Sequence, residues 1–249
     1  MNVRAELKRL HPDVLVTYDW GSIEWALANI GRPLRHIHIV DGFGPEEADR
    51  QLARRVYFRR ILFMRNTTIV VPSQTLYEIA TEVWRMSPEK VSFIPNGIDC
   101  ERFKLPHNQA IADQYGIKPG TTVVGTVATL RPEKNIQRLL LAFQRLLRDT
   151  EARLIIVGDG PERAALEGFA KQIDIANHVV FAGYIADPAA ILGQVDIFAL
   201  SSDTEQMPIS VLEAMASGLP IAGVDVGDVR HIVSDANKPH IVTRDVDDL

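Results

Sequence analysis

Two glutamates with seven residues between them, Glu205 and Glu213, flank Pro208. A proline there marks a first helical turn. A helix that starts at this point turns its unpaired N–H groups and the positive end of its dipole towards the preceding loop, which suits a phosphate. Were the interval helical throughout, eight steps would set the two acids ~12 Å apart along the axis. A glycosidase pair sits ~5 to 9.5 Å apart across one glycosidic bond. Two acids on either side of a phosphate site fit a nucleotide-sugar better, one at the sugar and one at the ribose hydroxyls. Taken singly, each acid reads better as a solvated charge, so the surrounding elements decide.

Nine short apolar runs, at 14–16, 36–40, 68–71, 91–94, 123–127, 154–157, 179–181, 197–200 and 221–224, recur along the chain. Most are followed by turn residues and then a segment of helical period. Short β-branched runs alternating with helices predict buried parallel strands joined by crossovers, an α/β fold. Ile136, Leu139, Leu140, Phe143, Leu146 and Leu147 fall on one face of a helix over 135–148. Pro161 opens another helix, and a third runs over 208–217 until Gly218 and Pro220 end it. Each begins beyond the carboxyl end of a strand, the edge where open α/β sheets bind ligands. Prolines at 88, 95, 106 and 119 break the rhythm and place a domain boundary near residue 105, giving domains 1–105 and 106–249.

The segment around the two acids resembles family-four glycosyltransferases of the GT-B fold, whose fingerprint is Glu, seven residues, Glu on a strand–loop–helix unit. Val70-Val-Pro-Ser73, Ile94-Pro-Asn-Gly-Ile-Asp99, Leu130-Arg-Pro-Glu-Lys-Asn135, Leu154-Ile-Ile-Val-Gly-Asp-Gly-Pro161, Val180-Phe-Ala-Gly183 and Ala214-Met-Ala-Ser-Gly-Leu-Pro220 follow the family in order. The resemblance implies two Rossmann-like domains and transfer of a sugar, with retention and without a metal, from a UDP- or GDP-sugar to a saccharide, lipid-linked or small-molecule acceptor, as in polysaccharide biosynthesis. It places Glu213 at the ribose, Glu205 and the backbone amides that follow it, in the stretch Gln206, Met207 and Pro208, at the donor sugar, and Lys134 at the diphosphate. A cation there offsets charge building on the leaving group. Thr129 stands where the family carries a phosphate arginine, so either Arg131 replaces it or donor affinity is weaker. Gln206 stands where a glycine is usual. Gly183 and Tyr184 correspond to the loop receiving the base, although a plain turn reads equally well. Asp41 and Ser73 fall on the acceptor side, Asp41 where relatives carry a histidine.

The resemblance also implies that residues 1–94 match only the second half of an N-terminal domain and that closing helices are missing. Such an incomplete sheet leaves an unpaired strand edge and invites association.

A formal charge of −5 gives no electrostatic reason to expect nucleic acid. Cys100 is the only cysteine, which excludes an intrachain disulfide and fits a reducing cytoplasm. His36 and His38 project to one strand face but have no third ligand, and Asp245 with Asp247 reads as a helix start rather than a metal motif. Residues 50–65 carry six arginines, from Arg50 to Arg65, with Tyr57, Phe58, Phe63 and Met64 among them. Such a helix can rest on anionic lipid at the inner face of a membrane. The ordinary alternative has the aromatics inward and the arginines solvated. A nicotinamide enzyme is disfavoured because Arg163 replaces the third glycine after Gly158 and Gly160. A non-catalytic nucleotide-sugar-binding fragment and a nucleotide-sugar epimerase are the other readings.

Overall fold

The computed structural model describes residues 2–31, 34–43, 47, 50–63 and 66–249, so Gly44, Met64 and Arg65 lie outside the described residues. Contacts divide the chain into two units, Met1–Asn96 and Gly97–Leu249. The division precedes residue 105 because Ile98 and Phe103 pack into the second unit's core.

In the first unit the strands β1 (Val14–Tyr18), β2 (Arg35–Ile39), β3 (Thr67–Val71) and β4 (Val91–Phe93) lie parallel and in chain order. The helices are α1 (Val3–Leu10), α2 (Ile23–Asn29), α3 (Ala53–Leu62) and α4 (Gln74–Glu78). Phe63, Ile69, Val71, Leu76 and Trp84 are fully buried in its main core. β1 is an edge strand along which burial alternates. Leu15 and Thr17 point inward, whereas Val14, Val16 and Tyr18 are 41, 57 and 50% exposed on the other face.

β2 carries His36 and His38 inward. The Thr17 hydroxyl lies 2.7 Å from His36 Nε2 and 2.7 Å from His38 Nδ1, and Thr67 Oγ1 lies 3.0 Å from His36 Nδ1. The His38 ring stacks on Phe63 at 4.3 Å. Both imidazoles are therefore core groups. Among the described residues no cluster of three or more His, Cys, Asp or Glu is placed to hold a metal.

The arginine-rich segment meets the ordinary expectation only in part, with Phe63 buried and Arg50, Arg54 and Arg60 exposed. In α3 it is Arg59 that is buried, bound by Glu47 at 3.1 Å and lying over the rings of Trp84, Trp20 and Phe43 at 4.7, 5.3 and 5.4 Å. Arg55 joins the same carboxylate at 2.8 Å. A buried carboxylate and a ring of aromatic faces together replace the water that the guanidinium gives up. Residues four apart share a helix face, so with Arg55 and Arg59 inward the opposite face turns out. Tyr57, Phe58 and Ile61 stand 64, 46 and 44% exposed, and Arg54 and Arg60 are exposed beside them. No helix among the described residues is long and apolar enough to cross a membrane.

The second unit holds six parallel strands, β5 (Thr122–Val127), β6 (Ala152–Val157), β7 (Val179–Gly183), β8 (Ile197–Leu200), β9 (Ile221–Val224) and β10 (Ile241–Val242), ordered β10-β9-β8-β5-β6-β7. Six helices follow in chain order: α5 (Gln109–Gln114), α6 (Ile136–Leu146), α7 (Arg163–Gln172), α8 (Ala189–Leu192), α9 (Ile209–Ala216) and α10 (Val229–Ile232). β6 shows why its sequence is a continuous apolar run. Leu154 and Ile156 pack with Leu140, Phe143 and Leu166 of α6 and α7, while Ile155 and Val157 pack with Ala112 and Ile191 of α5 and α8. A strand covered on both faces has no polar side to show. The chain is thus two parallel α/β units flanked by helices.

Candidate functional site

β5 and β8 are neighbours in the sheet, so the loops leaving their carboxyl ends are brought together although they lie about 70 residues apart in sequence. The first loop closes in a short turn, Pro132–Lys134; the second carries Glu205 to the start of α9. Lys134 Nζ meets Glu205 Oε1 at 2.6 Å, and Ser202 Oγ donates to the same oxygen at 2.7 Å. The two side chains are 24 and 11% exposed, so the pair is largely withdrawn from water while keeping one open side. Pro208 is the N-cap of α9 and is buried, with Gln206 and Met207 immediately before it. Lysine, carboxylate and the segment leading into the helix are therefore brought together.

Arg131 does not join them in the same way. Its side chain is 61% exposed and its ion-pair partner is Glu133, at 4.0 Å. Thr129 is exposed, and its carbonyl accepts from Arg131 N at 2.8 Å in a tight turn. That turn is gripped from the next loop. A Cβ on Gly158 would lie 1.8 Å from Ala128 O, and one on Gly160 would lie 2.4 Å from Leu130 O. These glycines serve the close approach of two backbones, with Leu130 N donating to Asp159 O at 3.0 Å. Gly183 takes a φ of +77°, its carbonyl accepts from Gly158 N at 2.8 Å, and the next residue, Tyr184, stands 78% exposed.

Gly227 was not singled out from the sequence, and it supports the acidic loop from behind. A Cβ there would meet Glu205 O at 2.4 Å and Gln206 O at 2.6 Å, at a φ of +53° that favours glycine. The neighbouring Asp228 N donates to Gln206 O at 2.8 Å. Gly227→Ala is expected to destabilise the protein by more than about 1 kcal/mol. It should also displace Glu205, opening its 2.6 Å contact with Lys134 in a crystal structure of the variant. An unchanged contact and melting temperature would show that the loop tolerates the substitution.

Glu213 lies inside α9, half-buried. Burial raises its pKa; Arg102 opposes that rise and Asp187 adds to it. Arg102 is itself paired with Asp187 at 3.1 Å. In the first unit, Asp41 N donates to Asp19 Oδ1 at 2.9 Å, leaving the exposed Asp41 at the carboxyl end of β2. Ser73 is fully buried, and its Oγ accepts from Leu76 N at 3.0 Å as the N-cap of α4. Asp247 is ion-paired with Arg145.

Comparison with known proteins gives the family. The family model for glycosyl transferases group 1 matches residues 107–249, and that for Glycosyltransferase Family 4 matches residues 1–102. The chain belongs to the group 1 glycosyltransferases. Among curated glycosyltransferases it is 29% identical over 149 residues to N-acetyl-alpha-D-glucosaminyl L-malate synthase of Bacillus anthracis, covering 59% of this chain and 39% of that protein. It is 29% identical over 192 residues to UDP-Gal:alpha-D-GlcNAc-diphosphoundecaprenol alpha-1,3-galactosyltransferase of Escherichia coli, covering 74% of this chain and 50% of that one. Anabaena Alr3699/HepE, solved with UDP, superposes with a TM-score of 0.81 at 20% identity over 96% of this chain and 67% of the other. The fold is thus that of the GT-B glycosyltransferases. The chain spans half or less of the length of these two curated relatives.

Proposed function

We propose that this glycosyltransferase moves a sugar from a UDP- or GDP-sugar to an acceptor hydroxyl, with retention at the transferred carbon. The observation that carries the reading is the Lys134–Glu205 pair, held at 2.6 Å beside the start of α9. Lys134 and the helix start supply positive potential for a diphosphate leaving group without calling on a metal. Glu205 and the amides of Gln206 and Met207 hold the donor sugar, Arg131 swings in from solvent to the phosphates, and Glu213 accepts from the ribose hydroxyls. Gly183 and Tyr184 receive the base. Asp41 is the acceptor-side candidate. The E. coli relative, which acts on a diphosphoundecaprenol-linked sugar, supports a saccharide or lipid-linked acceptor for this chain as well.

Calorimetric titration with UDP and with GDP tests the donor half. One of the two is expected to bind, and Glu213→Ala to weaken it by roughly tenfold, the worth of a hydrogen-bonded charged group. Failure of both nucleotides to bind the folded protein would overturn the reading. Transfer to an added acceptor then separates a transferase from a protein that only binds, and product analysis without acceptor separates it from an epimerase.

A peripheral seat at the inner face of a membrane is favoured by α3. It turns Tyr57, Phe58 and Ile61 outward between the exposed Arg54 and Arg60, in a chain whose overall charge is −5. Apolar side chains flanked by arginines suit the headgroup region of anionic lipid, each arginine contributing about 1 kcal/mol. Co-sedimentation with vesicles containing phosphatidylglycerol is expected, with loss in a Tyr57→Ser, Phe58→Ser, Ile61→Ser variant. No sedimentation of the parent protein even at low salt would remove the membrane from the proposal.

A further inference from the structure

Arg138 is an odd residue for its position. It occupies the first turn of α6, where the helix dipole disfavours a cation, and it is only 9% exposed. Its guanidinium reaches out of the helix to the acidic loop. Nη1 donates to Ser201 O at 2.7 Å, and Nη2 donates to Asp203 Oδ1 at 2.7 Å. Asp203 makes three more hydrogen bonds. Asn135 Nδ2 donates to both of its carboxylate oxygens at 3.1 and 3.2 Å, and its own N–H donates to Glu133 O at 2.8 Å. Ser201 Oγ adds a bond to Lys134 O at 3.0 Å. Asn135 adopts a left-handed conformation, φ 43° and ψ 50°, which asparagine tolerates better than most residues.

The contacts form two separable layers. Backbone and side chains of residues 133, 135 and 138 bind residues 201 and 203, fixing one loop against the other. The side chains of Lys134 and Glu205 take no part in that clamp; they bind each other, and Glu205 binds Ser202. A donor diphosphate competes with Glu205 for Lys134. The exchange is productive only if both backbones stay where they are while the side chains change partners.

We propose that Arg138 is a positioning residue of the donor site, acting through Asp203 to hold the Glu205 loop in register with the Lys134 turn. The inference rests on the donor-binding reading above and adds a residue that touches no substrate. A guanidinium that forks between a main-chain carbonyl and a carboxylate makes charge-assisted hydrogen bonds, and its loss leaves Asp203, 35% exposed, without the cation that faces it.

The test compares UDP with UMP, or GDP with GMP if guanine is the base that binds. Arg138→Met is expected to lower diphosphate affinity by roughly tenfold or more. Affinity for the monophosphate, which lacks the phosphate nearest Lys134, should change by no more than about threefold. Arg138→Lys, keeping one of the two contacts, should fall between. Asp203→Asn provides an isosteric second route should Arg138→Met fail to fold. In a Lys134→Ala background the Arg138 effect should largely vanish, since nothing remains to be positioned, whereas a general structural defect would add to the first loss. Equal losses of mono- and diphosphate, or additive losses in the double variant, would overturn the proposal while leaving the donor site standing. No nucleotide binding by the parent protein would overturn both.

Discussion

Lys134→Ala is expected to weaken UDP or GDP binding by roughly 10- to 100-fold, the worth of a charge-assisted hydrogen bond in a site partly withdrawn from water. The loss has two sources. The first is the missing contact to the diphosphate. The second follows from the 2.6 Å pair, because removing the lysine leaves the Glu205 carboxylate, 11% exposed, with Ser202 and no cation. A diphosphate would then meet an unneutralised negative group. Glu205→Gln removes that repulsion, so the double variant Lys134→Ala, Glu205→Gln should recover part of the affinity. Calorimetry on the two single variants and the double yields the coupling directly. Strict additivity would mean that Lys134 and Glu205 do not share the diphosphate, and an unchanged affinity in Lys134→Ala would place the phosphates elsewhere.

Much of this arrangement was legible in the sequence for physical reasons. Buried parallel strands leave continuous apolar runs, and all nine runs became strands; the tenth, Ile241–Val242, is two residues long and carries too little pattern to find. The helix over 136–146 appeared where its apolar period placed it, capped by Asn135. The meeting of Lys134 with Glu205 was legible only through family resemblance, because it depends on β8 lying beside β5, and no local rule supplies that adjacency.

What remained hidden was the support behind the site. Arg138 belongs to none of the motifs, and its only local signal is a cation at the wrong end of a helix. Gly227 gave no signal of its own, since the carbonyls it accommodates come from a loop some 20 residues away. In the arginine-rich segment the expectation of inward aromatics holds for Phe63 and fails for Tyr57 and Phe58. Glu47 lies within the first unit, and its carboxylate draws Arg55 and Arg59 inward. The helical period then carries Tyr57, Phe58 and Ile61 outward. Hydrophobic patterning fails where a buried ion pair dictates which face is inside.

The same unit should be acid-labile through its histidine pair. Burial pushes His36 down to about 4 and His38 to about 3, the latter lowered further by His36 and Arg59. In the unfolded chain both return to about 6.5. Between these limits the unfolded state binds more protons, so stability is fully present above pH 6.5 and declines as pH falls towards the folded values. Each histidine contributes a slope of up to about 1.4 kcal/mol per pH unit. The geometry agrees with the sign. Thr17 has one hydroxyl proton to share between two imidazoles 2.7 Å away, and two imidazolium rings would leave it without an acceptor there. Asp19, whose pKa is raised by burial, acts in the opposite sense and offsets part of the slope. All three tryptophans, Trp20, Trp25 and Trp84, belong to the first unit, so their fluorescence reports its unfolding separately from the second. Urea midpoints followed in this way should be level from pH 8 to about 6.5 and fall steeply by about pH 5, with His38→Gln removing close to half of the fall. A midpoint that stays level down to about pH 4.5 would mean that the pair is hydrated and titrates normally, and that the threonine–histidine chain is not a dry part of the core.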